Sequence, residues 1–136
     1  MIKPKLIPIP EKMQKFYGKG LMLHPKSTMV IEVVENIPRG KVMTIHELTK
    51  QLAKTYGADV TCPMRTGNLL KKLALTEAKI PFWRVVKKDH TMIKFDNHGH
   101  WATLLEQEGF ELEFTKSSQL KIVVSANQLL RCTEAT

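Results

Sequence analysis

Residues 44–75, "TIHELTKQLAKTYGADVTCPMRTGNLLKKLAL", carry the clearest structural signal in the chain. Thr44 and Glu47 have the spacing of a capping box, which predicts a helix that begins just after Thr44. The apolar side chains that recur at helical spacing in this segment are those of Ile45, Leu48 and Leu52. Gly57 suits the end of this helix, and Pro63 suits the first turn of another. Two helices joined by a short turn predict a helix-turn-helix.

The segments on either side predict further helices and a wing. "STMVIEVVENIP", residues 27–38, has apolar residues at helical spacing and ends in a proline. Downstream, "IPFWRVV", residues 80–86, is typical of a short strand, and "MIKF" after the polar turn "KKDHT" predicts its hairpin partner. "GHWATLLEQEG", residues 99–109, predicts a last helix, and "FELEF", residues 110–114, a half-exposed strand. The order of elements predicts a mainly helical α/β fold, a winged helix-turn-helix.

Composition divides the chain into three parts. Three prolines among the first ten residues predict that residues 1–25 form an N-terminal arm without regular structure, apart from a short helix over residues 11–17. The winged domain is expected to span residues 26–114. Residues 115–136 are expected to form a C-terminal tail with one apolar patch, "LKIVVS".

The charge of the chain suits a polyanionic partner. Among 136 residues, 21 are Lys or Arg and 13 are Asp or Glu, for a formal net charge of +8. A small basic domain often binds nucleic acid, although a basic surface also serves solubility. The basic residues of the helix-turn-helix and wing are Arg39, Lys41, Arg65, Lys71, Lys72, Arg84, Lys87 and Lys88. The segment that follows is acidic, so a phosphate-facing surface is expected on one side of the domain.

The cysteines and histidines do not predict a metal or a cofactor. Cys62 and Cys132 are too few for a disulfide framework and lack zinc spacing, so both are expected to be reduced thiols. His90, His98 and His100 are irregularly spaced for a metal site. The N-terminus has too short an apolar run for a signal peptide, and no membrane contact is expected. A cytoplasmic monomer, nucleoid-associated in a bacterium, is the expectation.

Four segments taken together resemble a known family. They are "VENIPRGKVMTIHELTKQLA", "RTGNLLKKLA", "IPFWRVV" and "LLEQEGFEL". Their order and spacing are similar to those of the DNA-binding domain of the O6-alkylguanine-DNA alkyltransferases, and most similar to the non-catalytic alkyltransferase-like proteins. The resemblance implies the fold of the alkyltransferase C-terminal domain, whose second helix lies in the minor groove of double-stranded DNA. It also implies that an O6-alkylguanine is flipped into a pocket beside the "IPFWRVV" strand.

The resemblance assigns two groups of residues. The expected DNA contacts are Thr44, Met64, Arg65, Thr66, Gly67, Lys71, Lys72, Lys87 and Lys88. The expected base pocket consists of Ile45, Pro81, Phe82, Trp83 and Arg84.

The same comparison shows which catalytic groups are missing. Phe82 stands where the family has its cysteine nucleophile, and Trp83 stands where it has the activating histidine. Phenylalanine has no nucleophile and tryptophan cannot accept a proton, so alkyl transfer is not expected. Glu108 matches the family's glutamate but has no relay to serve, and a surface position is expected for it.

Two further positions that bear on DNA binding also differ from the family. Ile45 replaces a tyrosine that helps to rotate the nucleotide. Met64 aligns with the arginine that enters the duplex in place of the flipped base, and Arg65 follows it directly. An intercalating wedge, a core residue and a plain surface residue are all compatible with Met64, and the pattern slightly favours core.

Strand geometry predicts opposite roles for the paired aromatics. Neighbouring side chains of a strand point to opposite faces. Phe82 is therefore expected to face the base pocket and Trp83 to pack under the wing, where its indole N–H needs a partner. Arg84 is expected to return to the pocket side, in a structural role.

The function implied is non-enzymatic recognition of alkylated or distorted DNA by base flipping, which flags the lesion for a repair protein. The alternative is a winged scaffold for protein interaction or general DNA binding, in which the two aromatics fill the old pocket. Loss of the family's histidine, tyrosine and aligned arginine speaks for the alternative.

Overall fold

The computed structural model describes residues 4–76, 79–92, 98–116 and 120–130. The helices are α1 Gln14–Tyr17, α2 Ser27–Glu35, α3 Ile45–Tyr56, α4 Pro63–Thr76 and α5 His98–Gln107. The strands are β1 Lys5–Pro8, β2 Leu21–His24, β3 Met43–Thr44, β4 Val60–Thr61, β5 Val85–Val86, β6 Glu111–Phe114 and β7 Leu120–Val123. Short 3₁₀ turns cover Glu11–Met13, Phe82–Arg84 and Ala126–Gln128. The described part is mainly helical, as predicted.

The predicted helix-turn-helix is present as α3 and α4. The Thr44 hydroxyl accepts a hydrogen bond from the backbone N–H of Glu47 at 3.2 Å, which caps the first turn of α3. Gly57 ends the helix in the left-handed conformation, with φ of 74°. Pro63 begins α4, where its missing N–H costs no hydrogen bond. The two helices bury their apolar stripes in one core, to which α2 also contributes.

The N-terminal segment forms regular structure, so the prediction that its prolines would prevent it is wrong. β1 pairs antiparallel with β2, and β2 pairs parallel with β4 in the turn between α3 and α4. Pro8 is tolerated because β1 is the edge strand of this sheet, where a missing N–H faces outward. The predicted short helix is present as the 3₁₀ turn and α1. Ile9, Met22 and Cys62 form a small second core beneath the sheet.

The predicted strand over residues 80–86 is mostly a turn, which is a correction. Pro81 has φ of −79° and ψ of 63°, and the Phe82 N–H donates to the carbonyl of Ile80 at 2.8 Å. This is an inverse γ-turn, and a 3₁₀ turn continues it through Arg84. Only Val85–Val86 remains as strand. Local turn hydrogen bonds and burial of the Phe82 ring override the β propensity of these residues.

A two-residue parallel pairing positions the start of α3 beside the start of the wing. Met43 pairs with Val85, and Thr44 pairs with Val86. Ile45 and Lys87 therefore follow directly from neighbouring strands. The wing turn is closed by a bond from the Lys87 N–H to the carbonyl of Thr91 at 2.9 Å. Most of the predicted "MIKF" strand lies outside the described residues.

Residues 120–130 pack on the domain, although the sequence predicts a tail there. β6 and β7 form an antiparallel hairpin, and Ile122 of β7 is fully buried. Backbone bonds tie this segment to the rest: the Ile122 N–H donates to His90, and the Val42 N–H donates to Gln128. From the apolar patch "LKIVVS", Ile122 thus belongs to the main core, and Leu120 and Val124 pack against it.

Candidate nucleic-acid interface

Helix α4 presents one exposed face with both basic and apolar side chains. Thr66, Leu70 and Leu73 are its buried residues. Its exposed residues are Pro63, Met64, Arg65, Asn68, Lys71, Lys72, Leu75 and Thr76. Met64 is 74% exposed, so the expectation that it belongs to the core is wrong. It stands two residues before buried Thr66, and about 200° of helix rotation separates the two side chains.

Thr66 and Thr44 have structural roles. Thr66 is completely buried, and its hydroxyl donates to the carbonyl of Cys62 at 2.9 Å. Its predicted contact with DNA therefore does not fit this conformation, because the side chain lies on the inner face of α4. Thr44 is 7% exposed and its hydroxyl is the cap of α3. At Gly67 a side chain would meet open space, so its expected close approach to DNA stays a prediction.

An open groove of about 360 Å³ joins α3, the start of α4 and the wing. Its lining residues are Tyr17, Ile45, His46, Thr49, Lys50, Ala53, Asp59, Val60, Thr61, Pro63, Lys87 and Lys88. The groove brings together three residues that the sequence predicts for the site, Ile45, Lys87 and Lys88. It also adds Tyr17 and His46, which sequence reasoning missed. The aromatic and lysine-rich stretch "KFYGK" is the signal that points to Tyr17.

The aromatic ring of Phe82 is inside the core. It is 1% exposed and belongs to the main core cluster. The prediction that Phe82 faces a base pocket is therefore wrong for this conformation: the 3₁₀ turn removes strand alternation and directs the ring inward. Pro81 beside it is half-buried. A flipped base has no free face of Phe82 on which to stack.

Trp83, Arg84 and Glu108 form one hydrogen-bonded network. The indole N–H of Trp83 donates to Glu108 Oε2 at 2.8 Å, so the predicted need for a partner is confirmed. Arg84 donates from Nε to Oε1 at 3.0 Å and from Nη2 to Oε2 at 2.9 Å. Its Nη1 donates to the carbonyl of Ile37 at 2.8 Å, and the Gly40 N–H also reaches Glu108. Arg84 is structural, as predicted.

Glu108 is not a surface residue, which is a second correction in this network. Its side chain is only 3% exposed. Burial by itself raises the pKa of Glu108, but hydrogen bonds from Arg84, Trp83 and Gly40, together with the Arg84 charge, outweigh burial and hold the pKa below its usual value. Glu108 is therefore ionised at neutral pH. Indole can only donate, so Trp83 cannot pass a proton to or from this carboxylate.

Three cations of the predicted basic face have bonds within the protein, and one of them, Arg84, is neutralised by a carboxylate. Arg39 donates to the carbonyl of Gln107 at 2.8 Å, and Lys41 donates to the carbonyl of Asn127 at 2.6 Å. Arg84 pairs with Glu108. The other cations of that face are Arg65, Lys71 and Lys72 on α4, with Lys87 and Lys88 at the groove.

His24 lies close to the basic residues of this face but stays neutral. Burial lowers the pKa of His24, and the positive charges of Arg65 and Lys5 lower it further. Its Nδ1 is buried and has no hydrogen-bond partner among the described atoms. The imidazole therefore adds no charge to the α4 surface at neutral pH.

Cys62 is buried, and its carbonyl rather than its thiol is engaged, by Thr66. Within the described ranges, no group of three His, Cys, Asp or Glu side chains could hold a metal ion. Asp96 and the side chain of His98 lie outside the part of the chain that the structure describes. No helix in the same ranges is long and apolar enough to cross a bilayer.

Comparison with known proteins identifies the family. Residues 25–110, more than half of the chain, match the model of the "6-O-methylguanine DNA methyltransferase, DNA binding domain" family. Among solved structures, the chain is similar to S. pombe Atl1 in complex with damaged DNA containing O6-carboxymethylguanine. The TM-score is 0.61 at 25% identity, covering 77% of this chain and 94% of that one. S. pombe ATL in complex with DNA matches over the same shares, with a TM-score of 0.60 at 23% identity. No curated protein matches the sequence. The chain belongs to the 6-O-methylguanine DNA methyltransferase DNA-binding domain family.

Proposed function

We propose that this protein binds double-stranded DNA and recognises alkylated or distorted sites without repairing them. The observation that carries the proposal is the exposed face of α4, where Met64 is 74% exposed beside Arg65 and the face continues to Lys71 and Lys72. An apolar side chain flanked by cations suits a helix that enters a groove of DNA. The likeness to Atl1, whose structure holds damaged DNA, supports the same assignment.

The absence of alkyl transfer is part of the proposal. The position of the family's nucleophile holds a buried phenylalanine, and the position of its base holds an indole bound to Glu108. Neither side chain can attack an alkyl carbon or accept a proton. A protein that binds a lesion without repairing it would flag the site for a separate repair protein. We propose a cytoplasmic location, with association with the nucleoid if the protein is bacterial.

Base flipping is the finer part of the proposal. Met64 would occupy the space that the flipped base leaves in the stack, as apolar wedges do in other DNA complexes. The flipped base would enter the groove beside Ile45 and Pro63 rather than the buried site of Phe82. Lys87 and Lys88 line the same groove and would hold the phosphates on either side.

A second candidate function is favoured by the burial of Phe82. If the Phe82 ring fills the expected base pocket, the same α4 surface would bind duplex DNA in general, without preference for a lesion. The two functions differ only in discrimination between modified and unmodified guanine.

The test is binding to matched duplexes with and without one O6-methylguanine, each at two salt concentrations. We expect affinity to fall steeply with salt, and the double variant Lys71→Glu/Lys72→Glu to weaken binding to both duplexes while lowering the salt slope by about 2. The control is Lys26→Glu/Lys116→Glu, which makes the same charge change at exposed positions outside α4. Tighter binding of the modified duplex supports lesion recognition, and equal binding supports the second function. No binding of wild type at low salt would contradict both.

A further inference from the structure

We propose that residues 15–20, the KFYGKG segment, form a second nucleic-acid contact, in which Tyr17 stacks on an unpaired nucleotide in the groove. The proposal rests on the proposed function, because α4 must first hold the DNA. It goes beyond that function because the segment precedes residues 25–110, the part that matches the family model. The α4 surface and the KFYGKG segment can therefore be tested separately.

The first observation is a pair of aromatic rings in contact with solvent. Phe16 is 71% exposed and Tyr17 is 41% exposed. Their ring centroids are 6.3 Å apart, and Lys15 Nζ lies 5.0 Å from the centre of the Phe16 ring. Exposed aromatic rings next to lysines are the combination that binds unpaired nucleotides, since bases stack on the rings and phosphates meet the ammonium groups.

The second observation is that the fold fixes Tyr17 at the groove. Gly20 has φ of 139°, and a side chain there would collide with the Asp59 carboxylate. That carboxylate accepts the Leu21 N–H at 2.8 Å, which ties the end of the KFYGKG segment to the turn before α4. Tyr17 thereby lines the same groove as Lys87 and Lys88.

The charge of the groove favours an anionic occupant. Among its lining residues, Lys50, Lys87 and Lys88 are cations, and Lys50 pairs with Glu47 at 3.8 Å. Asp59 is the lining carboxylate, and it is already engaged by the Leu21 N–H. Lys15 and Lys19 are further cations of the KFYGKG segment, each two residues from Tyr17 in sequence. Bases inside a duplex are already stacked on their neighbours, so a free face for Tyr17 exists only on an unpaired or flipped nucleotide.

The experiment compares a fully paired labelled duplex with the same duplex carrying a single-nucleotide bulge, by fluorescence anisotropy. Tyr17→Ala should weaken binding to the bulged duplex by about fivefold to a hundredfold and leave the paired duplex unchanged. Tyr17→Phe keeps the ring and should restore binding. Phe114→Ala is the matched control, because Phe114 is 73% exposed on β6 beside acidic Glu113. Tyr17 is partly exposed, so Tyr17→Ala is expected to fold, which circular dichroism checks.

The outcomes distinguish failure of the Tyr17 contact from failure of the proposed DNA binding by α4. Loss of affinity for the bulged duplex alone supports the Tyr17 contact. Unchanged binding of both duplexes by Tyr17→Ala, with loss of both in Lys71→Glu/Lys72→Glu, overturns the Tyr17 contact and keeps the proposed function. That result would leave the exposed rings as a surface for a protein. Failure of wild type to bind either duplex overturns both proposals.

Discussion

Trp83 donates its indole N–H to the carboxylate of Glu108, 25 residues further along the chain, at 2.8 Å. This bond joins the 3₁₀ turn of Phe82–Arg84 to the end of α5. Arg84 binds the same carboxylate and also the carbonyl of Ile37, so three segments meet at one ionised group. In the alkyltransferases that the sequence resembles, the corresponding glutamate assists a histidine. Here the partner of Glu108 is the Trp83 indole, a donor that does not titrate. The network links the 3₁₀ turn, the end of α5 and Ile37.

Replacing Glu108 should therefore be costly. Glu108→Ala leaves Arg84 and the Trp83 N–H without their acceptor in a buried site, and we expect a loss of about 3–5 kcal/mol in the free energy of unfolding. Urea denaturation measures this loss. Glu106→Ala is the control, because Glu106 is exposed on α5 and should change stability by no more than about 0.5 kcal/mol. Similar losses in the free energy of unfolding for the two variants would mean that the hydrogen-bonded network contributes little to stability.

The same carboxylate should make stability depend on pH. The pKa of Glu108 in the folded protein lies below its ordinary value of 4.5, so the unfolded state binds the proton more tightly. The contribution to stability is present above pH 4.5 and is lost as pH falls through the lower, folded pKa. Urea denaturation of wild type and Glu108→Gln from neutral to acid pH measures this effect. The difference in free energy of unfolding between wild type and Glu108→Gln should become smaller at acid pH. A difference that stays constant with pH would contradict the lowered pKa of Glu108.

Phe82 should be more important for stability than for binding. Phe82→Ala opens a cavity in the main core, and we expect a loss of about 3–5 kcal/mol. Trp83→Phe removes a hydrogen bond to a carboxylate and should cost about 1.5–3 kcal/mol. Phe82, and not Trp83, is thus expected to be the core residue, whereas the strand-based prediction makes Trp83 the core residue. A folded Phe82→Leu variant should bind O6-methylguanine duplex as tightly as wild type does. If the variant instead lost a preference for modified over unmodified duplex, Phe82 would have a role in the base pocket.

No alkyl group should be transferred to the protein. Incubation with O6-methylguanine duplex followed by intact-mass measurement should return the unmodified mass. Cys62 is buried, at 9% exposure, and Cys132 lies outside the described residues. A stoichiometric methyl adduct on either cysteine would contradict the non-enzymatic function, and peptide mapping would identify which one carries it.

Met64 should affect recognition but not folding. Because it is 74% exposed, Met64→Ala should change the free energy of unfolding by no more than about 0.5 kcal/mol. If Met64 fills the gap left by a flipped base, the variant should lose preference for modified over unmodified duplex. Leu75→Ala is the matched control, since Leu75 is an apolar residue 65% exposed at the other end of the same helix. Equal discrimination by all three proteins would exclude Met64 as the wedge.

The sequence alone predicts the helix-turn-helix because its signals are local. A cap at Thr44, a glycine at the end of α3 and a proline at the start of α4 each act within a turn of helix, and the structure confirms all three. The identities of Phe82 and Trp83 support, by residue type, the proposal that the protein does not transfer an alkyl group. Neither inference needs to know which distant segments come into contact.

Tertiary contacts decide where the remaining site residues lie. Glu108 is buried because Arg84 and Trp83, more than twenty residues earlier, supply the bonds that make burial favourable. Tyr17 reaches the groove because β2 pairs with β4, and Phe82 turns inward because the main core encloses its ring. Backbone propensity and apolar period describe neighbours within a few residues. Burial and long-range pairing depend on the whole packed chain, and they separate the buried core of this family member from its exposed surface.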